Sequence, residues 1–183
     1  MLPTVTAFFW SAIVGERLRL TMGLPIRKAN EHAPIADGIE ECTKPEKYYE
    51  PPLINVIKFA CHSCPDNQVK VTDQCQGCLA HPCREVCPKG AISEVNGRSV
   101  IDPEKCIGRC VKECPYNAIL KMERPCAKAC GMKAIKSDEF GRADIDYDKC
   151  VSCGMCLVNC PFGAIADKSQ IFQTIQAIKS DVP

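Results

Sequence analysis

The sequence predicts an α+β fold in which short helices and β-hairpins surround cysteine-rich loops, an arrangement that occurs twice behind a mainly helical N-terminal arm. Three observations predict it. Fifteen of the sixteen cysteines fall between residues 61 and 160, whereas residues 1–60 hold only Cys42. Within the rich region four segments share one form: Cys87-Pro88-Lys89-Gly90-Ala91-Ile92, Cys114-Pro115-Tyr116-Asn117-Ala118-Ile119, Cys130-Gly131-Met132-Lys133-Ala134-Ile135 and Cys160-Pro161-Phe162-Gly163-Ala164-Ile165. An internal repeat of this kind decides the architecture, because each copy is one local unit. The third observation is Asn96-Gly97, set between β-branched residues in Ser93 to Ile101, a strong signal for a two-residue hairpin turn. Phe140-Gly141-Arg142 takes the equivalent place after the third segment, and each hairpin leads into a fresh cysteine run, at Cys106 and at Cys150.

The arm comes first. Met1 to Gly15, with Phe8, Phe9, Trp10, Ile13 and Val14, reads as a core or interface helix. It is too short to cross a bilayer and is interrupted by Pro3, Thr4 and Thr6. Glu16 to Met22 continues a helix with Leu18 and Leu20, and Gly23-Leu24-Pro25 stops it. Pro45, Pro51 and Pro52 mark a linker, so residues 1–60 form an arm or docking segment and residues 61–168 the double cysteine domain. Residues 169–183 then read as a helical connection to a further C-terminal domain. Ile171, Phe172, Ile175 and Ile178 lie there at helical spacing behind Ser169 as a cap, and the run closes on Ser180-Asp181-Val182-Pro183.

A chain of 183 residues builds only a modest apolar core, so something else must hold the cysteine region together. A disulfide scaffold is one candidate at this cysteine density. Against it, Met1 to Gly15 has no basic residue ahead of its apolar stretch and no clear small-residue cleavage site. The cysteines are therefore expected to be reduced and ligating, in the cytoplasm. A formal charge of +1 offers no basic excess for nucleic acid and no acidic tail.

Thiolates are soft ligands suited to iron–sulfur clusters, and a compact loop can aim three of them at one cubane while its fourth cysteine reaches a neighbouring cluster. Cys150-x2-Cys153-x2-Cys156-x3-Cys160-Pro161 matches the bacterial ferredoxin spacing at every position. Cys75-x2-Cys78-x4-Cys83-x3-Cys87-Pro88 is a variant with two extra residues before the third ligand, a spacing also found in iron–sulfur subunits of large molybdenum oxidoreductases. Structural zinc is the alternative, but such sites need only two cysteine pairs rather than a triple run closed by Cys-Pro. The fold expectation sharpens accordingly to two bacterial-ferredoxin-like 4Fe-4S units.

Crosswise pairing completes two sites: Cys150, Cys153 and Cys156 with Cys130, and Cys75, Cys78 and Cys83 with Cys114. The remaining motifs are incomplete. Cys106-Ile107-Gly108-Arg109-Cys110 lacks two residues, one of them a cysteine, so Cys106 and Cys110 with Cys87 supply three thiolates. A 3Fe-4S cluster, a borrowed ligand or an empty site would follow. Cys126-x3-Cys130 reads as the tail of a motif whose first two cysteines are absent. Cys126 and Cys160 then need two more ligands, which Cys61-x2-Cys64 supplies if the chain folds back; otherwise that pair is buried, free or part of another site. The expected complement is two complete 4Fe-4S clusters and three or four in all. Cys42 stands outside every motif, and a free thiol is its default reading. His62 and His81 sit inside ligand loops, where polar residues are commoner than nitrogen ligands. Arg84, Arg109, Lys105 and Lys112 lie near the clusters as a solvated face or a surface for an acidic partner.

Thr72-Asp73-Gln74-Cys75-Gln76-Gly77-Cys78-Leu79-Ala80-His81-Pro82-Cys83, then Glu123-Arg124-Pro125-Cys126, then Asp148-Lys149-Cys150-Val151-Ser152-Cys153-Gly154-Met155-Cys156 through Ile178, resembles the amino-terminal electron-relay region of group B FeFe hydrogenases. The resemblance covers nearly the whole chain. It implies a ferredoxin-like relay serving a hydrogenase catalytic domain, in cis or as a docked redox partner, with that domain's own cysteine motifs lying beyond the helix at Gln170 to Ser180. It also implies that the relay itself holds no catalytic site. The competing readings are a polyferredoxin or iron–sulfur subunit of another oxidoreductase, and a zinc-stabilised interaction module.

Overall fold

A computed structural model describes residues 5–27, 31, 33–42, 44 and 51–179, with side chains from Trp10 onward. Pro3, Thr4, Pro45, the run Ser180-Asp181-Val182-Pro183 and the side chains of Thr6, Phe8 and Phe9 lie outside the described residues. In chain order come α1 (Val5–Thr21), α2 (Ile39–Cys42), β1 (Ile54–Val56), β2 (Gln68–Val71), α3 (Pro82–Glu85), β3 (Ile92–Val95), β4 (Arg98–Ile101) and β5 (Ile119–Met122). There follow α4 (Pro125–Lys128), β6 (Ile135–Ser137), β7 (Ala143–Ile145), α5 (Met155–Val158), β8 (Ile165–Asp167) and α6 (Ile171–Lys179), with 3-10 turns at Lys58–Ala60 and Arg109–Lys112. The chain divides into two units, one of Met1–Cys64 with Pro125–Pro183 and the other of Pro65–Arg124.

Each unit contains two antiparallel two-stranded ribbons. In the Pro65–Arg124 unit β3 pairs with β4 across Asn96-Gly97, whose φ angles of 51° and 73° are the left-handed pair that a type I′ turn requires. The second ribbon joins β2 to β5, with Val71 opposite Ile119. The other unit repeats the plan. There β6 pairs with β7 around Gly141, and β1 pairs with β8, with Val56 opposite Ile165. Both hairpins stand where the turn signals place them. The long-range ribbons have no such signal, since three or four residues are too few to show alternation.

In α1, Gly23 adopts φ 84° and the chain ends the helix with paired bonds from Gly23 N to Leu20 O and from Leu24 N to Arg19 O, a Schellman cap. Ile13 and Leu20 turn inward onto Ile57, Ala60, Ala164 and Ala166. Trp10, Val14 and Leu18 stay on the exposed side. Two buried charges of α1 organise the loop that follows. Arg19 donates to the carbonyls of Pro25, Ile35 and Asp37, while Glu16 accepts from Arg27 Nε at 2.7 Å and from its backbone N–H at 2.9 Å. Glu16→Ala leaves the Arg27 guanidinium, only 15 % exposed, without its counter-charge. The expected cost is about 3 kcal/mol, read from guanidinium unfolding followed by Trp10 fluorescence. The α6 helix begins one residue later than Gln170; Ser169 Oγ accepts the Ile171 N–H at 3.2 Å. No helix among the described residues is long and apolar enough to cross a membrane.

Candidate metal centres

The four Cys-x3-Ala-Ile segments fold alike. In each, the cysteine carbonyl accepts the N–H of the residue three positions on, Gly90, Asn117, Lys133 or Gly163, at 3.0 to 3.2 Å. Those four residues all have positive φ, between 51° and 59°. The turn brings the alanine N–H back over the sulfur: Ala91, Ala118 and Ala134 donate to Sγ of Cys87, Cys114 and Cys130, each at 3.3 Å. Each alanine carbonyl accepts from the residue beyond the partner strand, Asp102, Thr72, Asp146 or Ile57. The alanines are enclosed and the isoleucines that follow are buried at the head of a strand. Backbone N–H groups aimed at cysteine sulfur stabilise the thiolate and tune a bound cluster.

A second kind of cysteine lies on a short helical turn. Cys83, Cys110, Cys126 and Cys156 are each the second residue of α3, the Arg109–Lys112 turn, α4 and α5, and all four are buried. Left-handed Gly108 and Gly154 open two of these turns. The 103–105 and 147–149 turns lead to Cys106 and Cys150 alike, but Gly108 follows Cys106 after one residue and Gly154 follows Cys150 after three. Ser152 and Cys153 therefore have no counterpart in the Cys106 loop.

Cys130, Cys150, Cys153 and Cys156 line one cleft, together with Ile54, Met132, Ala134, Ile135, Ile145, Val151 and Gly154. Its empty space is about 350 Å³, part of it open to solvent. Burial pushes the Cys156 thiol above its ordinary value, and the nearby sulfurs of Cys150 and Cys130 push the same way. In the other unit burial pushes Cys110 up to about 11, with Cys106, Cys83 and Cys87 adding to the effect. Cys83 and Cys110 share a core with Ile92 and Ile119, and Cys87 and Cys114 pack against it. Cys75 moves the opposite way, because the N–H groups of Gly77 and Ser99 favour its thiolate. Cys78 lies half-buried in the same loop.

Cys61, Cys130, Cys150 and Cys160 pack against the core that contains Cys126 and Cys156, and Cys61 Sγ accepts the Ala143 N–H at 3.3 Å. Cys64 is half-buried, and Cys42 is buried at the end of α2. No disulfide joins any of the sixteen cysteines. The ligand-loop histidines have partners other than cysteine: His81 Nε2 lies 3.3 Å from Glu94 Oε2, and His62 stacks on Phe162 with ring centroids 4.0 Å apart. Among the described residues no three His, Cys, Asp or Glu side chains converge tightly enough to hold one metal ion. The cleft fits a larger inorganic group, since its four thiols surround a volume walled by aliphatic side chains.

Residues 120–171 match the family model described as the LdpA Fe-S cluster-binding domain. Electron transport protein HydN of Escherichia coli is 30 % identical over 133 residues, covering 67 % of this chain and 69 % of HydN. A probable iron–sulfur subunit from the Frd operon of Proteus vulgaris is 32 % identical over 99 residues, 50 % of this chain and 60 % of that protein. A selenate reductase subunit of Mesobacillus selenatarsenatis is 29 % identical over 109 residues, 42 % of this chain and 37 % of that protein.

Proposed function

The chain belongs to the HydN-like family of ferredoxin-type iron–sulfur electron-transport proteins, and from that premise we propose that it is a one-electron relay through several 4Fe-4S clusters to a catalytic partner. The cleft of Cys130, Cys150, Cys153 and Cys156 carries the reading, because four thiols round an apolar volume are what a cubane needs. Cys75, Cys78 and Cys83 with Cys114 form the corresponding set in the other unit, and Cys87, Cys106 and Cys110 a three-thiolate site. A bound cluster supplies reversible storage of one electron. The protein supplies the thiolates, the N–H donors on Cys87, Cys114 and Cys130 sulfur, and the apolar walls that limit water.

The partner in this proposal is the catalytic domain of an FeFe hydrogenase, fused or docked, as the resemblance of Thr72 to Cys83 and Asp148 to Cys156 implies. The exposed stripe Ile171, Ile175 and Ile178 on α6 supports a polypeptide packing there, whether in cis or in trans. A second reading, the iron–sulfur subunit of another oxidoreductase, is favoured by the likeness to the selenate reductase subunit.

Anaerobic reconstitution is expected to load about eight to sixteen irons per chain, two to four clusters. The loaded chain should pass electrons from dithionite to a dye and, alone, evolve no hydrogen from reduced viologen. Adding an FeFe hydrogenase catalytic domain should then give hydrogen at the expense of the reduced chain. Zinc in place of iron would overturn the relay, and hydrogen above an apo control would reveal a catalytic centre in this chain. Transfer to the dye without transfer to the hydrogenase domain would favour the second reading.

A further inference from the structure

We propose that Cys61, Cys64, Cys126 and Cys160 form a further four-thiolate cluster site, built from a motif that the chain splits by inserting all of Pro65–Arg124 between its second and third ligands. The inference rests on the cluster-binding reading above and adds a complete ligand set to it. Its basis is that the two units run through the same parts in the same order. Pro65–Arg124 gives β2, the Cys75 loop, α3 with Cys83, the β3–β4 hairpin, the Cys106 loop, the turn with Cys110, and β5 returning to pair with β2. The other unit gives β1, the Cys61 loop, α4 with Cys126, the β6–β7 hairpin, the Cys150 loop, α5 with Cys156, and β8 returning to pair with β1. The insert enters after Cys64 and leaves before Pro125.

The equivalence holds at single residues. Pro82-Cys83-x3-Cys87 and Pro125-Cys126-x3-Cys130 have the same spacing and the same proline at the start of the helical turn. The residue before the second cysteine has positive φ in each two-residue loop: Ser63 at 46°, Gly77 at 58° and Ser152 at 54°. Cys75 Sγ takes the N–H of Ser99, two residues before the Ile101 that pairs with Ile92. Cys61 Sγ takes the N–H of Ala143, two residues before the Ile145 that pairs with Ile135. Cys61 therefore occupies the first-ligand position of its unit.

The fourth thiolate follows from what surrounds that loop. Cys130 lines the cleft with Cys150, Cys153 and Cys156, so by the same crosswise exchange Cys160 is left for the Cys61 set. The His62 ring stacks on Phe162, at 4.0 Å and 12° between planes, which holds the Cys61 loop against the Cys160 turn. Cys61, Cys126 and Cys160 also border one apolar core. Filling this site ties Cys64 to Cys126 and so clasps the two ends of the insert.

The test uses the full chain, reconstituted anaerobically, with iron counted and the dithionite-reduced clusters read by low-temperature electron paramagnetic resonance. Cys64→Ser and Cys126→Ser should each lose up to about four irons and the same component of the spectrum. Cys130→Ser, only four residues from Cys126, should lose a different component, shared with Cys153→Ser. Loss of one common component by Cys126→Ser and Cys130→Ser, or unchanged iron and spectrum in Cys64→Ser, would overturn the proposal. Because a variant can fail to fold, the loaded wild-type chain is also alkylated. Cys61 and Cys64 should resist the reagent as Cys150 does and react once iron is removed. Their modification with all iron retained would sink the proposal. Failure of the relay reading itself looks different, since the wild type would then take up no iron.

Discussion

Removing iron from the reconstituted chain is expected to unfold the Pro65–Arg124 unit while α1 keeps part of its protection. The central buried cluster of that unit is Cys83, Ile92, Cys110 and Ile119, two thiols and two isoleucines, with only half-buried Val69, Val71, Val86, Ile101 and Val111 and the cysteines Cys87 and Cys114 packed against it. Its ribbons are four residues long, and isolated two-stranded ribbons are marginal in water. Without metal the inward cysteines lose their cross-links and bring sulfurs together with no cation between them. Metal binding in small cysteine domains contributes about 10–16 kcal/mol for zinc peptides, more than so small an apolar core can replace. Where α1 packs, Ile13 and Leu20 meet Ile57, Ala60, Ala164 and Ala166, a core without a cysteine at its centre. Hydrogen exchange followed by mass spectrometry after anaerobic chelation separates the two regions. Amides of Ile92 to Ile101 and Ile119 to Met122 should exchange at rates near those of an unfolded chain, a loss of several orders of magnitude in protection. Persistence of their protection in the apo protein would show that side-chain packing alone holds this unit.

The same contrast explains what the sequence reveals. Local signals carry far: Asn96-Gly97 marks β3–β4, Gly23 marks the end of α1, and the repeated Cys-x3-Ala-Ile segments recur as one turn with one set of hydrogen bonds. The ribbons β1–β8 and β2–β5 are invisible by comparison, because Val56 must find Ile165 and Val71 must find Ile119 across long stretches of chain. Nothing in three or four residues specifies such a partner. The cysteine sets divide along the same line. Cys150, Cys153 and Cys156 announce themselves by spacing, crosswise pairing adds Cys130 to them, and all four line one cleft. Cys61 and Cys64 lie far from Cys126 in sequence, so counting unused ligands joins them to Cys126 and Cys160 only if the chain folds back. Their loop is placed by β1, the Ala143 N–H, the Ser63–Phe140 bond and the His62 stack. One sequence signal is sufficient to suggest the link: the Pro-Cys-x3-Cys string shared by residues 82–87 and 125–130. The shortened loop at Cys106 is plain in the sequence as a missing cysteine, and Gly108 shows where the chain closes over the deletion.

Gly77→Ala should cost far more than Gly90→Ala, although both glycines have φ near 58°. Gly90 has open space around an added Cβ, and its counterparts Asn117 and Lys133 already hold φ 51° with full side chains. Only the left-handed strain is left to oppose alanine there, about 1 kcal/mol. At Gly77 an added Cβ would collide with the Gly97 carbonyl oxygen. Backbone shape is not the reason glycine is needed, for Ser63 and Ser152 hold the same loop position at φ 46° and 54°. The obstacle is the hairpin. Gly97 is part of the tight Asn96-Gly97 turn, so its carbonyl cannot retreat without disturbing the β3–β4 ladder, and the Cys75 loop must move instead. That movement takes Cys75 away from the Ser99 N–H of the hairpin, which helps to stabilise its thiolate. The combined clash and strain amount to about 3 kcal/mol or more, falling on a loop whose cysteines belong to one proposed cluster set. Gly77→Ala should therefore load up to about four fewer irons than the wild type. Gly90→Ala should load the full number and lose its visible absorbance at a slightly lower guanidinium concentration. Equal iron and equal midpoints in the two variants would mean that the Cys75 loop can shift freely past the hairpin, and that Gly77 does not hold it in place.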